Sequence, residues 1–233
     1  MTIHLVAMGG GGFSTNEGVS ALDAYVLGLA ARPRPTVCFV GTASGDSASY
    51  LARFHASFRR LDCDTTDLSL FKRTGAKLVD TLDAVDVVYV GGGSTANLLA
   101  LWRLHGLDAA LRVRAARRNL VVCGISAGAL CWFEGGVTDS FGPGLRALAD
   151  GLGWAQGSVC PHYDGEAERR PAYHAAVGAG ELAPGYALDD GVAVHLIDGD
   201  VHGFVSERPN AHAYRVERGP AGARETVLPT MLL

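Results

Sequence analysis

A chain of 233 residues can bury one sizeable core, and 48% hydrophobic against 19% charged residues fits a globular α/β protein rather than a disordered or fibrous one. Lys and Arg number 20 against 24 Asp and Glu, a net charge of −4, so nothing points to a nucleic-acid or anionic-membrane partner. No apolar run reaches the roughly 18 residues of a membrane span, and the N-terminus enters a strand-like run without a secretory leader, so a cytoplasmic protein is expected.

Residues 3–8 read as a strand ending in glycines 9–12, followed by a helix over about 17–31. Residues 36–40 are apolar and β-branched and lead through Gly41-Thr42-Ala43-Ser44-Gly45 to a helical stretch at 50–60 and a short strand within 62–68. Residues 85–90 make a buried-strand pattern that runs into Gly91-Gly92-Gly93-Ser94-Thr95 and a helix to about 103. The next strand, 120–123, meets a serine turn. This recurrence of strand, glycine-rich turn and helix is the pattern of a doubly wound, mostly parallel sheet of flavodoxin-like type, with sites at the carboxyl ends of its strands. After about residue 137 the pattern changes. One helix at 167–177 precedes short β-prone runs at 192–197, 201–205, 213–216 and 225–228, expected as antiparallel strands added to one edge. No repeat or linker interrupts the chain, so residues 1–233 are expected to form one domain. The five cysteines, an odd number without metal-type spacing, read as buried free thiols.

The chemistry concentrates in Gly124-Ile125-Ser126-Ala127-Gly128, a G-x-S-x-G turn between strand and helix. Its glycines let backbone crowd together while the serine stands clear of the sheet beside free N–H groups. A serine nucleophile needs a base, a group to orient that base, and donors for the oxyanion. Of eight histidines, His162 stands apart, placed in a loop by Cys160-Pro161-His162-Tyr163-Asp164-Gly165. The acid candidates are Asp189 and Asp190, before Gly191, with Asp139 and Asp164 as substitutes. The Gly91-Gly92-Gly93 run offers N–H groups at a helix start. It lacks the lysine of a nucleotide-binding P-loop, and Ala96 replaces the last glycine of a G-x-G-x-x-G motif.

Four segments in this order resemble the peptidase E (aspartyl dipeptidase) family. They are Val90-Gly91-Gly92-Gly93-Ser94-Thr95, Gly124-Ile125-Ser126-Ala127-Gly128-Ala129, Pro161-His162, and Leu188-Asp189-Asp190-Gly191. The resemblance runs to about residue 214. It implies a class I glutamine amidotransferase-like fold with serine in place of cysteine, no cofactor and no metal, and cleavage of dipeptides with an N-terminal aspartate. It implies Ser126 as nucleophile, His162 as general base and Asp190 as orienting acid, where the family's aspartyl dipeptidases carry glutamate; Asp189 stays open as the alternative. It also implies an oxyanion hole from the N–H groups of Gly93 and Ala127. Ser94 stands where the family usually has asparagine. An arginine beyond the histidine reads the substrate aspartate in the family, which here falls on Arg169 or Arg170, and Asp139 falls near an aspartate of supporting role.

The expected function is a serine exopeptidase acting on small peptides, with no nucleic-acid or membrane partner, as a monomer or homodimer. Three rivals remain at the level of sequence. They are a cyanophycinase-like peptidase, an α/β-hydrolase esterase using Ser126, Asp190 and His202 or His212, and a non-catalytic binding protein on the amidotransferase-like scaffold.

Overall fold

The structure, a computed structural model, describes residues 1–15, 18–72 and 78–233. Its centre is a parallel array of β1 (Ile3–Met8), β2 (Thr36–Val40), β3 (Asp64–Asp67), β4 (Val87–Val90) and β5 (Leu120–Ile125), in the spatial order β1-β5-β4-β2-β3. β4 and β5 are buried throughout, so their near-continuous Val, Ile, Leu and Tyr content is that of strands covered on both faces. Alternate side chains confirm the two covers. Val6, Met8, Val37, Phe39, Val87 and Tyr89 meet one core; Leu5, Ala7, Cys38, Val40, Val88 and Val90 meet the other.

Helices α1 (Ala21–Gly28) and α2 (Ala48–Phe58) cover the first face through Leu22, Val26, Phe54 and Phe58. On the second face lie α3 (Leu78–Asp83), α4 (Thr95–His105) and α5 (Leu107–Ala115), with Leu82, Trp102 and Leu111 fully buried. The sheet is doubly wound. α1 starts later than the sequence pattern suggests because Ser20 caps it, its hydroxyl accepting from Asp23 N–H at 3.2 Å; residue 17 lies outside the described residues.

The C-terminal strands divide between two sheets, which corrects the expectation of one added edge. After α6 (Ala127–Leu130) come β6 (Phe133–Thr138), β7 (Arg146–Leu148), β8 (Ala155–Cys160), α7 (Arg169–Ala179) and β9 (Gly185–Leu188). Then β10 (Val192–Ile197) and β11 (Asp200–Ser206) extend the main sheet antiparallel from β1, and a short β14 (Met231–Leu232) pairs with β11. β12 (Ala213–Gly219) and β13 (Gly222–Leu228) instead join a second sheet of order β13-β12-β9-β8-β6-β7. The reason is packing. Val216 is buried with Tyr173, Ala176 and Val177 of α7, which covers one face of that sheet, while Phe133, Val159, Leu188 and Ala213 on its other face enter the core of the main sheet. All five cysteines are buried and unpaired, as expected. Among the described residues no helix is long and apolar enough to cross a membrane.

Candidate active site

β5 ends in a backbone turn that only its small residues permit. A Cβ on Gly124 would lie 2.9 Å from Gly128 Cα, and one on Gly128 would lie 2.7 Å from the Val90 carbonyl carbon. The first turn of α6 is thereby pressed against β4 and β5. Between the two glycines, Ser126 takes φ 56°, ψ −111°, and its carbonyl accepts from Ala129 and Leu130 N–H, both at 2.9 Å. A non-glycine residue in this region stores about 1–3 kcal/mol of strain, held by its surroundings. Only five non-glycine residues among those described have positive φ, and His162, at φ 55°, is another.

β4 pairs with β5 so that Val90 faces Gly124. Its glycine turn therefore flanks Ser126, and a Cβ on Gly92 would lie 3.5 Å from Ser126 Cβ. Gly93 has φ +136°, with Ser44 N 2.9 Å from where a Cβ would stand. Gly92 N–H donates to the Tyr50 hydroxyl and Ser94 N–H to the Ala43 carbonyl. The N–H groups of Gly93 and Ala127 have no acceptor among the described residues.

The second half of the site comes from the loops after β8 and β9. Three consecutive carbonyls at the end of β1 hold these segments together. Met8 C=O accepts from Ser126 N–H at 3.1 Å, Gly9 C=O from His162 N–H at 3.0 Å, and Gly10 C=O from Gly191 N–H at 3.1 Å. His162 Nδ1 lies 2.6 Å from Asp190 Oδ1. That hydrogen bond holds the Asp190 carboxyl below its ordinary range; Arg208 and Arg169 add to the effect, and partial burial opposes it.

A model of peptidase family S51 matches residues 5–204, an interval containing every one of these segments. The chain belongs to peptidase family S51. This S51 peptidase is 51% identical over 230 residues to "Uncharacterized peptidase YgaJ" of Bacillus subtilis (strain 168), covering 99% of each chain. Two solved structures share the fold at low identity. A peptidase from an acI-B1 Actinobacterium is 14% identical with a TM-score of 0.66, over 97% of this chain and 94% of that one. A putative peptidase E protein from Listeria monocytogenes EGD-e is 17% identical with a TM-score of 0.61, over 86% and 97%.

Within the S51 chain the structure separates the competing candidates. Asp189 turns away from His162, its Oδ2 accepting from His212 N–H at 2.8 Å and from the Tyr214 hydroxyl at 3.5 Å, and burial raises its pKa. The imidazole against Asp190 is that of His162; His212 is tied to Asp189 through its N–H, and His202 lies on β11 against His195. Arg169 is 4% exposed, with Nε on Glu166 at 2.7 Å and Nη1 on the Val137 carbonyl at 3.0 Å. Its Nη2 has no hydrogen bond to a described residue. Arg170 points to the second sheet instead, paired with Glu225 at 2.7 Å and stacked over Tyr163 and Tyr214.

Two acids differ from their sequence reading. The Asp139 side chain is exposed and makes no hydrogen bond or ion pair among the described residues, so it does not act as a buried support. Asp164 is not a substitute for Asp190 but its neighbour, accepting from Asp190 N–H at 2.7 Å. Sequence reasoning missed Arg208, Tyr50 and the role of glycines 9 and 10. None of them sits in a motif whose spacing carries meaning without the fold.

Proposed function

We propose that this S51 peptidase is a cytoplasmic serine exopeptidase that cleaves dipeptides with an N-terminal aspartate. In this reading Ser126 attacks the scissile carbonyl, and His162 takes the hydroxyl proton and returns it to the leaving amine. Asp190 accepts the Nδ1–H of the imidazole, which leaves Nε2 free to act as the base and offsets the charge that develops on the ring. The open N–H groups of Gly93 and Ala127 receive the oxyanion, each such donor being worth roughly 3–4 kcal/mol in comparable sites. No cofactor enters this scheme.

The observation that carries the reading is the 2.6 Å contact between His162 and Asp190, on loops fastened to the same strand end as Ser126. Positive φ at both Ser126 and His162 fits two loops held in strained conformations by their surroundings, as at active sites and ligand clamps. For the substrate aspartate, Arg169 is the better supported of the two arginines: it is nearly buried, has an unused Nη2, and is close enough to lower the Asp190 pKa. A guanidinium so placed can grip a carboxylate.

The test is hydrolysis of Asp-X, Glu-X, Asn-X and Ala-X dipeptides by the wild type, Ser126→Ala and Arg169→Ala, with fluorophosphonate labelling read by intact mass. Ser126→Ala should lose both turnover and labelling. Arg169→Ala should lose the advantage of Asp-X while keeping the label. Wild-type protein that hydrolyses Asp-X no better than Ala-X would remove the aspartyl assignment and leave the serine peptidase; absence of any adduct would remove the latter.

A further inference from the structure

We infer that Asp164 and Arg208 are positioning residues that grip the main chain of Asp190 from both sides and so aim its carboxylate at His162. The inference rests on the Ser126–His162–Asp190 reading and extends it to two residues that no motif marks. Asp164 Oδ1 accepts from Asp190 N–H at 2.7 Å. Arg208 Nη1 donates to the Asp190 carbonyl at 2.9 Å and to Asp164 Oδ2 at 3.1 Å. The N–H and C=O of one residue are thus held by two side chains that also hold each other.

The placement is built rather than incidental. Asp164 stands two positions after His162, so the loop that carries the base reaches across and fixes the acid. Arg208 is itself pinned, since its N–H donates to Ser206 Oγ at 3.0 Å and that hydroxyl donates to the Arg208 carbonyl at 2.7 Å. The neighbouring Glu207 N–H donates to the Gly191 carbonyl at 2.9 Å, tying the same short segment to the residue after the acid.

An ordinary surface ion pair is the competing explanation. The Arg208 and Asp164 side chains are 48% and 34% exposed, and a pair in that setting contributes little to stability. What such a pair has no reason to do is converge on both polar groups of one active-site residue. An aspartate has only one rotatable bond beyond χ1, so the placement of its carboxylate follows its main chain closely. The grip matters here for that reason, and the carboxylate has glycines on two sides: a Cβ on Gly10 or Gly165 would lie 3.0 or 3.1 Å from Asp190 Cγ.

The experiment compares wild type, Asp164→Ala, Asp164→Asn and Arg208→Met by two readouts. One is the rate of fluorophosphonate labelling of Ser126. The other is the downfield proton resonance of a histidine Nδ1–H bonded to a carboxylate, absent in His162→Ala. Asp164→Ala and Arg208→Met should slow labelling roughly 10–100-fold, the cost of misplacing a catalytic group by up to about 1 Å, and should shift or abolish the resonance. Asp164→Asn retains an accepting oxygen for Asp190 N–H and should label within about fivefold of wild type. Labelling and resonance unchanged in both Asp164→Ala and Arg208→Met would overturn the inference. If Asp164→Ala does not fold, Arg208→Met decides. Wild-type protein that takes no label would instead refute the serine-peptidase reading, and the resonance would still report on the grip.

Discussion

Replacing Gly10 with alanine is the sharpest single perturbation of the proposed acid–base pair. A Cβ there would lie 3.0 Å from both Asp190 Cγ and His162 Nδ1, and closer still to the bonded carboxylate oxygen. Ordinary contact needs about 3.5 Å or more, so carboxyl and ring have to retreat by at least about 0.5 Å each, in different directions. Their 2.6 Å hydrogen bond then stretches beyond useful length. The acid has little freedom to yield, because Gly165 lies against its other oxygen and its main chain is held by Asp164 and Arg208. A misplacement of about 1 Å costs about 10²-fold, and loss of a triad's orienting acid about 10⁴-fold, so kcat should fall between those limits with KM little changed. Gly10 is buried, and overpacking there should cost about 1–3 kcal/mol, so the unfolding measurement separates lost activity from lost fold. Steady-state kinetics beside thermal unfolding would show this, with Gly18→Ala, where a Cβ meets nothing within 4 Å, as the control. A Gly10→Ala variant within about threefold of wild-type kcat would refute the orienting role of Asp190 argued here.

The turn around Ser126 should tolerate change still less. Gly128→Ala puts a methyl 2.7 Å from the Val90 carbonyl carbon and 3.0 Å from the Gly91 carbonyl oxygen, backbone that cannot swing away, and should cost about 2–3 kcal/mol in urea unfolding; an unchanged midpoint would contradict the packing argument. Acid sensitivity should reside partly in His195, which is 1% exposed, bonded to His4 at 2.9 Å and to Tyr25 at 2.8 Å, and held by burial at a pKa of about 4. A histidine kept neutral by the fold gives full stability above its unfolded pKa of about 6.5, and that stability is lost as pH falls from there toward 4, up to about 3 kcal/mol in all. Asp23, pushed up to about 7 mainly by burial, acts in the opposite sense, favouring the fold as pH drops below neutrality. The difference between wild type and His195→Gln therefore isolates the histidine. The variant should lose less stability between pH 7.5 and 5, by up to about 2 kcal/mol, and equal losses would exclude His195 as the sensor.

The parallel half of the fold was legible because β1, β2, β4 and β5 are largely buried and each runs into a glycine-rich turn. The 85–90 and 120–123 runs have few polar residues to mislead, and both became central strands. The second sheet was not legible for the opposite reason. β6 carries Gly135 and Gly136 and β8 carries Gly157, residues of weak strand preference, and what makes them strands is the cover of α7 and the pairing of β6 with β8 and of β8 with β9. At the site, G-x-S-x-G was readable because its glycines answer a local demand for close backbone approach. The choice between Asp189 and Asp190 was not, since adjacent residues point to opposite sides and only the three-dimensional register decides which meets the imidazole. Arg169 and Arg170 part in the same way at the start of α7, one toward Val137 and the other toward Glu225.

The glycines after β1 show where sequence reasoning and structure part most instructively. Read along the chain they are an unspecific flexible turn; in space they are where the site is fastened. The carbonyls of Met8, Gly9 and Gly10 each accept one N–H, from Ser126, His162 and Gly191 in turn. A strand end normally leaves such acceptors to water, and here they receive three segments more than 25 residues apart in sequence. Side chains on this stretch would block the convergence: a Cβ on Gly9 would lie 2.9 Å from the Leu188 carbonyl carbon, and one on Gly10 would intrude between Asp190 and His162. Glycine is therefore required here for what approaches it, and the requirement comes from three distant loops. The local spacing of the glycines consequently carries no fingerprint, and the same contacts make this strand end the point through which displacement of any one segment reaches the other two.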